Sequence, residues 1–172
     1  CTPIVAVGDL VKKGQVIAEA QAFVAAPVHA SLSGKVIEIA EYSHPVFGTC
    51  PAIVIESDGK DEWLEGLPQS RKWQDFSQSE LKEFIRQAGM VGMGGATFPT
   101  HVKMAPPSEK TMDMLILNGA ECEPFLTADH RVMLEKTAEV ITGMQIAMHI
   151  LGVTKGYIGI EDNKSDAIVA MR

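Results

Sequence analysis

Apolar residues change their spacing partway along this chain. From Pro3 to about Asp58 they come in short β-type runs: Pro3 to Val7, Gln15 to Glu19, Lys35 to Ala40 and Ala52 to Glu56. Turn dipeptides separate them: Gly8-Asp9, Lys13-Gly14 and Ser33-Gly34, each of a kind that reverses a chain through positive φ. Short strands at such intervals predict a small β-sandwich over 1–58. After a polar stretch with two tryptophans over 59–76, the pattern becomes helical. Ser77-Gln78-Ser79-Glu80 has the spacing of a capping box, Leu81, Phe84, Ile85 and Ala88 share one helical face, and Gly89 is a C-terminal stop. Two kinds of layer are therefore expected in one chain: 1–58, a linker over 59–76, and 77–172.

Within the second part, Met114 to Leu117 is apolar throughout, as a buried parallel strand is. A helix over Thr137 to Leu151 follows, with Val140, Ile141, Met144, Met148 and Leu151 facing inward and Gly152 after it, then a second buried strand from Tyr157 to Ile160 and a helix beginning near Ser165. Helix alternating with strand predicts a parallel sheet covered by helices. Ligands of such folds sit beyond the carboxyl ends of strands. Here those ends are the polar stretches Asn118 to Pro124 and Glu161 to Lys164.

Composition narrows the function classes. A hydrophobic fraction of 46% with 22% charged residues suits a chain with real cores. With 15 Lys and Arg against 22 Asp and Glu, the net charge of -7 lacks the cationic excess that binds nucleic acid. No apolar stretch approaches the roughly 20 residues needed to span a bilayer, and the N-terminus has no secretory signal pattern, so this chain is expected to be soluble. The first residue is Cys1 rather than Met, and the last two, Met171 and Arg172, fall in a helical pattern, as if both ends were cut from something longer. The three cysteines, Cys1, Cys50 and Cys122, are scattered without a CxxC pair, so no metal or iron–sulfur site is expected among them. Cys122 lies between Glu121 and Glu123, whose charges disfavour a thiolate nucleophile. The histidines have no metal-ligand spacing, and His149, within a helical pattern, reads as structural.

Three motifs carry the chemistry. Gly8-Asp9 with Val11-Lys12-Lys13-Gly14-Gln15, then Ala26-Pro27 and Ser33-Gly34-Lys35-Val36, resembles the barrel-sandwich fold of biotinyl and lipoyl carrier domains. The tip that carries their modified lysine reads AEAQAFVAA here, without any lysine, so a docking or spacing domain is expected. The second motif is GMGGATFPT over 92–100 with Lys103 beyond it; closely spaced glycines let backbone amides approach a phosphate or ring, although such a loop can also be an ordinary connection. The third is NGAECEP over 118–124 followed by TADHR over 127–131. Carboxylates at a strand end have a partner or a task, or else cap the next helix from a solvated loop.

In this order and spacing, the motifs GMGGATFPTHVK, LILNGAECEP, TADHR and GYIGIEDNK resemble those of the NADH-facing subunit of the Rnf complex, the ion-translocating ferredoxin:NAD oxidoreductase. The second half is also similar to the flavoprotein subunit of respiratory complex I. The resemblance implies an α+β two-domain chain: a barrel-sandwich hybrid followed by a truncated Rossmann-like α/β domain. It implies FMN and NAD(H) as cofactors, with Gly92, Gly94, Gly95 and Lys103 as flavin contacts and Phe98 stacking on the dinucleotide. Asn118, Glu121 and Glu123 then line the redox face. Relative to complex I, Met93 replaces an Arg, Thr97 a Gly and Ala120 an Asp, while Glu161 to Lys164 replaces a Gly-Glu pair.

The same resemblance implies 4Fe-4S clusters beyond Arg172, other subunits of the membrane complex as partners, ferredoxin as an indirect one, and a peripheral place on the cytoplasmic face of the bacterial inner membrane. A hydride then passes from NADH to flavin, single electrons leave through the clusters, and the isolated 172-residue piece is inactive. Two other readings compete: a non-catalytic docking module with a vestigial nucleotide fold, and a related flavoprotein such as a cobalamin reductase. The order of domains argues against the latter.

Overall fold

The computed structural model describes residues 1–66, 72–93, 96–107, 109 and 111–172. They form two compact units, one of Cys1–Arg71 with Glu83–Lys103 and one of Lys72–Lys82 with Met104–Arg172.

The first unit is built on two antiparallel three-stranded sheets. Strands β1 (Thr2–Pro3), β3 (Val16–Glu19) and β4 (Val28–His29) form one; β2 (Leu10–Val11), β5 (Gly34–His44) and β6 (Gly48–Ser57) form the other. Val11, Ile17, Ala30 and Val36 make the buried core, flanked by Val5, Ile39, Ile53 and Ile55, so both sheets contribute to one apolar layer. That is the expected sandwich, with changed strand limits. Of the first run only Pro3 is strand, and the last two runs lengthen into one hairpin whose register continues to His44↔Gly48.

The turn glycines divide by cause. Gly8 and Gly14 have φ of 103° and 81°, as their dipeptides predict. Gly34 does not: it opens β5 outside the left-handed region, and its lack of a side chain serves packing, since a Cβ there would overlap the carbonyl oxygen of Glu56. Beside it, the buried Ser33 hydroxyl donates to Asp58 Oδ1 at 2.7 Å and accepts from the Glu62 amide at 2.9 Å. Within the 59–76 stretch, Trp63 bridges to Lys13, whose ammonium lies 4.9 Å from the indole centroid.

Helix α1 (Gln78–Gln87) begins with the expected capping box. The Ser77 amide donates to Glu80 Oε2 at 2.8 Å and the Glu80 amide to Ser77 Oγ at 3.3 Å. Gly89 follows with φ 65°.

In the second unit, β7 (Leu115–Asn118) and β8 (Gly156–Gly159) pair in parallel, from Leu115↔Gly156 to Asn118↔Gly159. Helices α3 (Ala128–Glu135) and α4 (Thr137–Leu151) connect them, and α5 (Ser165–Ala170) follows. Helix α4 has the predicted limits, and Gly152 caps it at φ 68°. Its deepest residues are Ala147 and Ile150, with the five expected positions partly buried. Met144 and Met148 close over Gly156, where a Cβ would meet Met148 Sδ at 2.7 Å. Trp73 meets His149 edge-on at 5.8 Å, in keeping with a structural histidine.

Two expectations need correction. Strands β7 and β8 are not buried throughout: Ile116 is 64% and Tyr157 55% exposed. Strand residues alternate between faces, and helices α3 and α4 leave one of the two faces of this pair open. Helix α3 was not expected as a separate element; the backbone breaks at Lys136, φ -130° and ψ 32°.

Candidate functional site

The glycine loop belongs to the first unit. Val91 and Pro99 form an antiparallel bridge, the Gly92 amide donates to the Phe98 carbonyl at 2.8 Å, and the Thr100 amide to that of Met90 at 2.9 Å. These bonds close the segment on itself and lead directly into α2 (Thr100–Lys103). The short helix turns Lys103 back over the loop, so that its ammonium occupies the space beside Gly92 where a Cβ would sit. Gly92, Phe98 and Lys103 are thus brought together, with the Phe98 side chain half exposed. Gly94 and Gly95 lie outside the described residues.

Two features of this loop escape sequence reasoning. Thr97 has φ 48°, a conformation costly for a β-branched residue, at the position where complex I carries the freer glycine. His101, two residues before Lys103 in the same short helix, is only 2% exposed. Its Nε2 lies 2.9 Å from the Phe23 carbonyl oxygen and its ring meets that of Phe23 edge-on at 5.7 Å. Phe23 stands in the stretch where a carrier domain bears its lysine.

The acidic loop belongs to the second unit and leaves β7 at Asn118, whose Oδ1 accepts from the Ala120 amide at 3.1 Å. Gly119 continues the ladder by donating to the Gly159 carbonyl at 2.8 Å. A side chain there would press on Met133 Sδ and that same carbonyl. Glu121 reaches forward to the start of α3, Oε1 accepting from the Asp129 amide at 2.9 Å and Oε2 from the His130 amide at 3.1 Å. Both amides are unpaired within a first helical turn, so Glu121 performs the capping that the Thr127 side chain does not.

The Asp129 amide foremost holds the Glu121 carboxyl below its ordinary value; burial, next in size, opposes it, and the His130 amide and the charge of Lys164 add to the lowering. Beside it, His130 Nε2 lies 2.8 Å from Asp166 Oδ1 on α5, and that hydrogen bond foremost lowers the Asp166 pKa. Asn118 and Glu121 therefore shape the loop and fix it to α3, while the Glu123 side chain points into solvent. Phe125 is a further residue that pattern reading overlooks. It is fully exposed and held at φ 66°, a pairing of strain and exposed aromatic surface signalled in the sequence only by its place after Pro124.

Among the described residues no group of three or more His, Cys, Asp or Glu could hold a metal ion, and no helix is long and apolar enough to cross a membrane.

Both halves of the chain have known relatives. Residues 85–172 match the Nuo51 FMN-binding domain, and residues 1–60 the RnfC barrel sandwich hybrid domain. The chain is 61% identical over 171 residues to the C subunit of the proton-translocating ferredoxin:NAD(+) oxidoreductase complex of Clostridium ljungdahlii, covering 99% of this chain and 37% of that protein. It is 49% identical over 171 residues to the Na(+)-translocating counterpart of Acetobacterium woodii, covering 99% and 39%. With the C subunit of the ion-translocating oxidoreductase complex of Rhodobacter capsulatus the identity is 43% over 171 residues, covering 98% and 33%. The chain thus spans well under half the length of these relatives.

Proposed function

Since the chain belongs to the family of the Nuo51 FMN-binding domain and, with the RnfC barrel sandwich hybrid domain before it, to that of the RnfC subunits of ion-translocating oxidoreductase complexes, we propose that it carries part of an FMN and NAD(H) site in such a subunit. The full-length protein in this reading exchanges electrons between NAD(H) and ferredoxin, coupled to ion translocation. Its partners are the other subunits of the complex, at the cytoplasmic face of the bacterial inner membrane. The 4Fe-4S clusters are assigned to parts of the subunit outside these 172 residues.

The observation that carries the reading is the placement of Lys103. A closed loop with a glycine at 92 and a lysine ammonium folded onto that glycine is a cradle: a backbone surface stripped of side chain, with a flexible cation at its mouth. An oxygen of the flavin nucleotide suits both parts. Lys103 supplies the charge-assisted hydrogen bond, and the bare backbone at Gly92 allows close approach. Phe98, half exposed beside them, offers a face for the dinucleotide.

The acidic loop contributes by being rigid. Asn118 and Glu121 are engaged with backbone amides, and each Glu121 oxygen keeps a lone pair for a ligand donor. Glu123 and Phe125, which project from the loop, are the side chains available to the redox face. Bound flavin converts a two-electron donor into single electrons. The residues named here orient it and its partner, and none needs to act as acid or base.

The test is FMN titration of the full-length subunit, followed by mixing with NADH and observing flavin absorbance. Lys103→Ala is expected to weaken FMN binding at least tenfold while leaving the thermal unfolding midpoint in place. Wild-type affinity in that variant refutes the cradle, and an FMN-loaded subunit that NADH fails to reduce refutes the NAD(H) assignment.

A further inference from the structure

The β5–β6 hairpin continues past the sheet that anchors it. Strand β2 pairs with β5 only at Lys35 and Gly34, whereas β5 and β6 stay in register to His44↔Gly48. A bulge between Val36 and Glu38 re-aims the ribbon where it leaves the core. From Glu41 to Thr49 every residue but His44 is exposed. Two-stranded ribbons are marginal in water, so one that persists needs devices of its own, and this one has several.

His44 Nδ1 accepts the amides of Val46 at 3.2 Å and Phe47 at 3.3 Å, and its ring stacks on that of Phe47 at 4.9 Å and 27°. Gly48 supplies the left-handed step of the turn, φ 75°, and the Tyr42 hydroxyl donates to Glu38 at 2.6 Å. The outcome is an apolar tip presented outward in a fixed geometry: Val46 and Phe47 are each 76% exposed. A tip serving only to reverse the chain has no need of an exposed phenylalanine held in place by an imidazole. Rigid, preoriented aromatic anchors are what recognition surfaces use.

We propose that the tip of this hairpin, Val46 and Phe47 supported by His44, docks into an apolar, basic-rimmed pocket on another protein subunit of the electron-transport assembly. The charge of the ribbon selects that occupant. Between Val36 and Ile55 it carries Glu38 and Glu41 and neither Lys nor Arg. Anionic lipid headgroups repel such a stem. A second copy of this chain, with net charge -7, brings the same sign to the contact. A protein pocket with Lys or Arg at its rim complements both the apolar tip and its acidic flanks.

The proposal rests on the function proposed above only for the existence of the assembly. The complex is purified from membranes carrying the full-length subunit as wild type, Phe47→Ser or His44→Ala, with Leu10→Ser, an equally exposed apolar position at 79%, as control. A photo-activatable phenylalanine at position 47 is cross-linked in the intact wild-type complex. Phe47→Ser is expected to lower the retained fraction at least tenfold, His44→Ala by less, and Leu10→Ser not at all. The cross-link is expected to join a different subunit of the same complex. A wild-type protein that copurifies with no other subunit overturns the functional reading and this proposal together. Unchanged retention of Phe47→Ser, or cross-links to lipid or to a second copy, overturns the hairpin proposal and leaves the functional reading standing.

Discussion

Gly92→Ala adds one methyl group, and its consequences can be followed atom by atom. A Cβ at this position falls on Lys103 Nζ, while the next neighbours, Lys103 Cε and the Phe98 carbonyl oxygen, lie at an ordinary 3.6 Å. Gly92 lies outside the left-handed region, so alanine adopts its backbone without strain, and the 2.8 Å bond to Phe98 is untouched. What must move is the free end of a flexible chain. Folding should therefore change by no more than about 0.5 kcal/mol, as for other changes away from core and caps. Ligand affinity should change more. A charge-assisted hydrogen bond contributes about 1.5–3 kcal/mol, and displacing the ammonium that makes it weakens FMN binding roughly 10- to 150-fold. Flavin-fluorescence titration of the full-length apo-subunit measures this, beside a thermal melt. Lys103→Ala should give a comparable loss, and the double variant less than the sum of the two, because both disturb the Lys103 contact. Additive losses, wild-type affinity in Gly92→Ala, or a large fall in its stability would refute the reasoning.

Three further outcomes are expected. Gly34→Ala forces a Cβ into the Glu56 carbonyl, a backbone atom of a paired strand that cannot yield without shifting β6; a loss of about 3 kcal/mol in urea denaturation is expected, and a loss under about 0.5 kcal/mol would show that the close approach is not real. Thr97→Gly relieves a left-handed threonine, worth about 1–2 kcal/mol, less the roughly 0.5–1 kcal/mol entropic cost of glycine; exchange of the Gly92 amide should slow by up to about tenfold, and faster exchange would exclude strain. The Glu83 carboxyl, hydrogen-bonded first of all by Arg86, is lowered to about 2 from 4.5. Because the folded value is the lower one, its contribution is present above pH 4.5 and lost as pH falls towards 2. A carboxyl NMR titration of Glu83 with a midpoint near 4.5 contradicts this.

Local rules made much of the fold legible. Ser77 and Glu80 announced α1 because a capping box is complete within four residues, and Gly152 ended α4 because a left-handed cap is a single-residue property. The parallel pairing of β7 and β8 followed from the helical pattern between them. Features that join distant positions were not legible. Ser33-Gly34 looks like a turn because the Glu56 carbonyl that demands the glycine lies far along the sequence. The resemblance places Glu121 on the redox face, and nothing local in the sequence shows that its carboxylate also accepts the amides of Asp129 and His130 across the loop. The glycine loop was visible as composition, but the return of Lys103 onto Gly92 depends on the pitch of α2.

The contact between Phe23 and His101 has a bearing on how this domain type can be used. A carrier works by travel: its tip is tethered to a flexible cargo and must visit successive stations. Here the same stretch is moored, its carbonyl 2.9 Å from a buried imidazole and its aromatic ring set edge-on against that ring. A tip held in this way has exchanged reach for position. For the flavin site proposed above, electron transfer falls off steeply with separation, so fixed spacing serves such a centre better than a swinging arm. With no lysine in this stretch and its Phe23 moored to His101, the tip acts as a bracket for the helix into which the glycine loop leads.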